Sequence, residues 1–293
     1  MSGDILQTPG SIELATNLYL LGDGWNEDIP KRYESILTCL VLSSPFSVKH
    51  ISDVILKVVN WKPDIITKIS ISRLHSAIQA SQLDQARIRS PLELMYVLGM
   101  SETVFYLAFL DAGLFPCCIT LARKGCKMAQ NIDLESDIGE RLLSIICTAF
   151  SCLSVRLAHS RWPWIIQAIE AGVLSAVADV AVHLPLITAG FRDQILDIIR
   201  TTLPRNLVYR SVVLRMKEEF NLLDDCVIRG SILEESWDNL KHRCLGIWMV
   251  LSDTLPTAIR VGYHRSNTKV SPLLLILKVH RVLTIACPCL LVR

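Results

Sequence analysis

Adjacent thiols can bind a metal or form a redox couple, and this chain carries such a pair at Cys117 and Cys118. A structural zinc wants four Cys or His ligands, typically in paired C-x(2 to 4)-C spacing. The other candidates do not complete a set of that kind. His242 and Cys244 fall on different faces of a helix, and Cys287 and Cys289 have no second half within reach in sequence. The carboxylate pairs Glu218-Glu219, Asp224-Asp225 and Glu234-Glu235 are sequence neighbours. Neighbours on a helix do not converge on one point, which argues against general acid–base work. Gly22-Asp23-Gly24 lacks the strand and the Lys-Ser/Thr of a phosphate loop and reads as a turn, and neither H-E-x-x-H nor G-x-S-x-G occurs. The expectation is therefore no catalytic residue, no cofactor and no metal.

Two further groups could bind rather than react. Trp162-Pro163-Trp164 is either a stacking platform or a helix start whose indoles pack across a junction. Arg205, Arg210, Arg215 and Lys217 form the leading basic group, but Glu218, Glu219, Asp224 and Asp225 follow directly and dilute its field.

The elements that must position these residues read as helices. Tyr33, Ile36, Leu37, Leu40 and Val41, after Asp28 and Pro30, make one apolar stripe, and Val48, Ile51, Val54, Ile55, Val58 and Val59, after Ser47, make another. Helix starts are expected at Ser90-Pro91, Ser101, Trp162-Pro163 and Ser231 to Glu234, and stops at Gly99, Gly113, Gly125 and Gly172. Only residues 65–71 (IITKISI) alternate like a strand, and no hairpin signal pairs them, so the fold class is all-α.

Residues 109–122 (FLDAGLFPCCITLA) align without a gap on 168–181 (AIEAGVLSAVADVA), matching Gly113 to Gly172 and placing Cys117 on Ala176 and Cys118 on Val177. That substitution pattern favours small apolar side chains in a packed helix over metal or redox chemistry. The glycines stand 59 residues apart (172 minus 113), and a long helix over about 134–159 accounts for the excess over a regular repeat. An acid, Ala and Gly between two amphipathic helices resembles the turn between the last two helices of an armadillo repeat. The competing explanation is chance similarity of two helical hairpins. The predicted architecture is an irregular armadillo/HEAT-like solenoid of stacked hairpins over 1–250, with an apolar tail over 251–293.

Composition narrows the setting. Apolar residues make up 51% and charged ones 20%, with a mean hydropathy of +0.39, which implies a large buried surface or a sticky one. A net charge of +2 leaves no nucleic-acid footprint. The opening MSGDILQTPG does not read as a secretory signal, so the ten cysteines are expected as reduced thiols in the cytoplasm or nucleus. Residues 273–292 approach the length of a membrane span, but Lys278, His280 and Arg281 sit at its middle, at about 2.5 to 3.5 kcal/mol per central cation. An imperfectly buried element is favoured over an anchor; translated sequence beyond the true reading frame is a third reading.

RWPWIIQAIEAGVLSAV at 161–177, ILDIIRTTLPRNLVYRSVVLRM at 195–216 and SWDNL at 236–240 are together similar to the helical, armadillo-like region of mushroom proteins that carry a MYND-type zinc finger near the C-terminus. The most specific string is LP-x-x-LVYRSV at Leu203 to Val212. In that family the finger is rich in C-x-x-C pairs and engages short peptides. After Trp237 this chain has only Cys244, Cys287 and Cys289, so the resemblance implies a truncated relative without the finger, and no zinc ligand carries over. It implies a non-enzymatic scaffold that binds a protein or peptide on a solenoid surface, with no nucleic-acid partner; the alternative is a helical membrane-associated protein anchored by 270–293. On the expected concave face, formed by 114–124, 173–184 and a helix over 207–220, Arg123, Lys124, Arg210 and Arg215 either clamp an extended or acidic segment or merely solvate the helices. Trp164 is the candidate hydrophobic anchor.

Elemental analysis of chain purified without chelators is expected to give well under one zinc per chain. A full equivalent, lost together with helicity on chelation, would restore the cysteines as ligands.

Overall fold

Apolar side chains at helical spacing do become helices. The computed structural model describes residues 8, 10–21, 36–42, 48–101 and 103–262, and every regular element among them is helical. The expected features at Gly22 to Gly24, Asp28 to Tyr33 and in the tail from 263 onward lie outside these described residues. In chain order the helices are α1 (Ser11–Leu21), α2 (Val48–Val58), α3 (Pro63–Gln79), α4 (Gln85–Ser101), α5 (Thr103–Asp111), α6 (Leu114–Ala129), α7 (Asp137–His159), α8 (Trp162–Glu170), α9 (Val173–Val180), α10 (Ala189–Asp197), α11 (Leu203–Asn206), α12 (Arg210–Leu222) and α13 (Glu234–Gly262). Residues 36–42 are also helical.

The alternating stretch at 65–71 lies inside α3, where Ile66, Ser70, Leu74, Ala77 and Ile78 form the buried stripe. The Ser70 hydroxyl tolerates this burial because its Oγ donates to Ile66 O at 2.8 Å and meets the Tyr19 hydroxyl at 2.7 Å. The start expected at Ser90-Pro91 falls earlier, at Gln85, where Asp84 Oδ1 accepts from Ala86 N at 2.9 Å; Pro91 is inside the helix. Gly99 and Gly125, expected as stops, lie within α4 and α6. At Gly125 the cause is packing: a Cβ would sit 2.7 Å from Ile146 Cγ1, so α7 crosses α6 where no side chain intervenes.

The long helix expected over 134–159 is α7. Ser136 Oγ accepts from Gly139 N at 3.2 Å at its start, acids occupy its first turn, and Arg156 and His159 its last. Length and composition would let α7 cross a membrane, as would the pairs α5–α6 and α8–α9 if each were one bent span, yet 61% of the apolar window of α7 is buried inside the protein. Helices α4, α6 and α10 pack on it.

The aligned stretches form equivalent structures. Gly113 has φ 94° and Gly172 φ 89°, in the left-handed region that disfavours a Cβ. Each sits between a nine-residue helix and its successor, and the helices meet at 62° across Gly113 and 59° across Gly172. Helix α8 begins and ends 59 residues after α5, as the glycines do. The equivalent helices lie against each other, α4 on α7 and α6 on α9. Helix α12 then packs on α8 and α9, with Phe220 edge-on to the buried Trp237 of α13 at 5.3 Å. Contacts divide the chain into a unit ending at Trp248 and a second beginning at Met249, in which α13 continues to Gly262.

Alanine at the two turns should separate backbone strain from crowding. A Cβ on Gly113 would meet nothing within 4 Å, so Gly113→Ala is expected to lose only the left-handed penalty of about 1 to 2 kcal/mol. On Gly172 it would lie 3.3 Å from Arg123 Nη1 and 3.6 Å from Glu219 Oε1, and Gly172→Ala should lose more. Urea unfolding of the two variants checks the order.

Candidate functional site

Packing short helices side by side buries their C-terminal carbonyls, which have no partner in their own helix. Cations from later helices satisfy them. Arg73 of α3 donates to Tyr19 O of α1 at 2.7 Å. Lys124 of α6 donates from Nζ to Ile78 O at 2.6 Å and also to Ala80 O, at the end of α3. Arg156 of α7 donates to Tyr96 O at 2.7 Å and to Gly99 O, in the last turns of α4. Tyr106 closes this corner, its hydroxyl donating to Arg156 O at 3.0 Å and meeting Ser160 Oγ at 2.7 Å. Burial lowers the pKa of the Arg156 guanidinium.

A second set of polar contacts crosses α6, α8, α9 and α12. Arg123 Nε donates to Asp179 Oδ2 at 3.0 Å, joining α6 to α9. Arg215 of α12 pairs with Glu170 of α8 at 3.0 Å and with Glu218 at 2.8 Å. Glu219 of α12 reaches the first turn of α9, where its Oε1 accepts from Ser175 N at 3.3 Å and Ser175 Oγ at 3.2 Å. Gly172, the N-cap of α9, has no side chain to do this. Glu219 is 8% exposed and its Oε2 has no hydrogen-bond partner among the described residues. Burial pushes its carboxyl up to about 7, against the opposing pull of Ser175 and Arg123.

Of the residues considered for partner binding, Arg123, Lys124 and Arg215 thus hold neighbouring helices, and Trp164 is half-buried near the start of α8. Arg210 is exposed, with no ion pair among the described residues. It lies beside a surface that periodicity did not reveal: the Trp162 and Tyr209 rings meet with centroids 6.1 Å apart and planes tilted by 32°. Tyr209 is exposed because α12 begins at Arg210, leaving Val208 and Tyr209 in the preceding turn. The LVYRS string carried the only signal, an aromatic and an arginine together before a helix.

The thiols read as packing groups. Cys117, Cys118, Cys126, Cys147, Cys152 and Cys244 are buried, whereas Cys39 and Cys226 are exposed. Burial raises Cys117, Cys147 and Cys244 to about 11 and Cys126 to about 12, while hydrogen bonding to Cys152, then burial, raises Cys118. These raised thiols stay protonated and are poor nucleophiles or ligands, whereas hydrogen bonding with Cys118, then the Arg156 charge, against burial, holds Cys152 below the ordinary thiol value. Among the described residues no three His, Cys, Asp or Glu side chains converge as metal ligands would. A cleft of about 410 Å³ between α3 and α5 is lined by Pro63, Asp64, Lys68, Val104, Leu107 and Asp111. Its Lys68 donates to Asp64 at 3.2 Å.

Glu219 generates a pH prediction. Its folded value of about 7 exceeds the ordinary 4.5, so between these values the folded protein holds a proton that the unfolded chain has released. The resulting stability is fully present below about 4.5 and is lost as pH rises through about 7, on the order of 3 kcal/mol in all. Glu219→Gln keeps an acceptor for Ser175 and should remove this dependence, so the melting temperatures of the two proteins diverge between pH 5 and pH 8 with the variant higher at pH 8. Parallel curves would show that the carboxyl is ordinary.

No family model, curated protein or solved structure matches this chain.

Proposed function

We propose that this chain is a non-enzymatic, armadillo-like helical stack that binds a protein or peptide partner, related to the helical region of fungal MYND-finger proteins. The observation that carries the reading is the repetition of a glycine-broken helix pair at an offset of 59 residues, with α6 lying on α9. Helical stacks of this kind offer extended surfaces on which partners are held by pockets and a few polar clamps. The reading extends to a cytoplasmic or nuclear setting and includes neither nucleic acid nor a membrane among the partners. The pairing of Lys68 with Asp64 in the cleft between α3 and α5, and the dispersal of the remaining titratable groups, favour binding over catalysis.

Proximity labelling with the full chain tests this directly. A reproducible set of neighbouring proteins, distinct from that of the labelling enzyme alone, is expected, and Arg210→Glu should change it without lowering the melting temperature. A neighbour set identical to the control would remove the interaction reading.

A further inference from the structure

We infer that the corner formed by Trp162, Val208 and Tyr209 with Arg161, Arg205 and Arg210 docks an acidic protein segment carrying an aromatic or leucine anchor; this rests on the interaction reading above. Trp162 is 44% exposed, Val208 63% and Tyr209 42%, and ring contact holds the two aromatics in one place. Large apolar side chains fixed before binding lose little freedom when a partner covers them, and Trp, Tyr and Arg are the types that dominate binding energy at interfaces.

Charge selects the occupant. Arg161, Arg205 and Arg210 are exposed, and none has a carboxylate partner among the described residues. Arg89, Arg123 and Arg215 are engaged by carboxylates, whereas Arg161 and Arg210 stand next in the chain to the exposed rings of Trp162 and Tyr209. The same corner holds the starts of α8 and α12, whose caps Arg161 and Tyr209 supply no side-chain acceptor, so the local helix dipoles add positive potential. An acidic stretch matches the arginines, and one apolar residue within it matches the aromatic pair. A nucleic acid fits less well, because a chain of net charge +2 has no extended basic track for a phosphate backbone.

Selection from a displayed library of short random peptides against the full chain tests the proposal. Enriched peptides should combine Asp or Glu with Phe, Trp or Leu. Their synthetic forms should lose affinity by roughly tenfold or more with Trp162→Ala/Tyr209→Ala and with Arg161→Glu/Arg205→Glu/Arg210→Glu, the latter also flattening the salt dependence. Circular dichroism melts of both variants identify any loss of fold, and single Arg210→Glu and Trp162→Ala variants replace one that melts early. Enriched peptides that bind all variants equally would overturn the corner while leaving an interaction surface elsewhere. Enrichment of peptides without acidic residues, or tighter binding of a single-stranded oligonucleotide than of the acidic peptides, would overturn the assigned partner. No enrichment would remove both the corner and the interaction reading.

Discussion

The carbonyl groups at helix C-termini impose the constraint on which this packing depends. Arg73, Lys124 and Arg156 each reach back to an earlier helix and donate to its final carbonyls. Such a contact satisfies orphan acceptors and places a positive charge at the negative end of the helix. Hydrogen bonds from charged donors contribute about 1.5 to 3 kcal/mol each, enough to favour one neighbour over another. Arg156 illustrates the strength of the arrangement. It is buried without a carboxylate among the described residues, and carbonyls together with the faces of Tyr96 and Tyr106, 5.9 and 5.5 Å away, take the place of a counter-ion.

At the other end of the helices the solution differs. Left-handed glycine lets α6 and α9 start immediately after the preceding helix, but it supplies no side chain to cap their first amides. At α9 the missing acceptor comes from Glu219, three α-helices later. That contact ties α12 to α9 and buries a carboxyl whose second oxygen has no partner among the described residues. The chain between them is less regular: α10 runs into a π-helical turn over Ile198–Thr202, where Leu203 N bonds to Ile198 O and the following Pro204 has no N–H to give. Helix α12 therefore begins after an open turn, and Val208 and Tyr209 emerge beside Trp162.

The distribution of charge follows from these two arrangements. Among the cations, Arg73, Lys124 and Arg156 are taken up by carbonyls of earlier helices, and Arg123 by a carboxylate on α9. Those at the corner between α8 and α12 face solvent beside aromatic rings. The apolar α7 is covered by α4, α6 and α10, and the buried Cys117, Cys118, Cys126, Cys147 and Cys152 lie on α6 and α7 in the same core. The two kinds of charge have different physical consequences: paired ones hold neighbouring helices together, and unpaired ones beside rings stay solvated.

The sequence by itself determined the all-helical class, the two equivalent glycine turns, the long α7 and the burial of Cys117 and Cys118. Each follows from a short-range rule: apolar spacing of 3.6 residues, the conformational freedom of glycine, and the size of a thiol replacing alanine or valine at matched positions. Tertiary structure decided the rest. Whether Gly125 ends a helix or admits Ile146 depends on where α7 crosses, and the alternation at 65–71 became a helix because Ser70 found Tyr19 across 51 residues. Adjacent Arg123 and Lys124 look alike in sequence, yet one meets Asp179 and the other the end of α3, whereas Arg210 meets no carboxylate among the described residues. A cation's role is set by the acceptors that packing brings within about 3 Å, and that distance is a property of the assembled helices and not of the residues beside it in the chain.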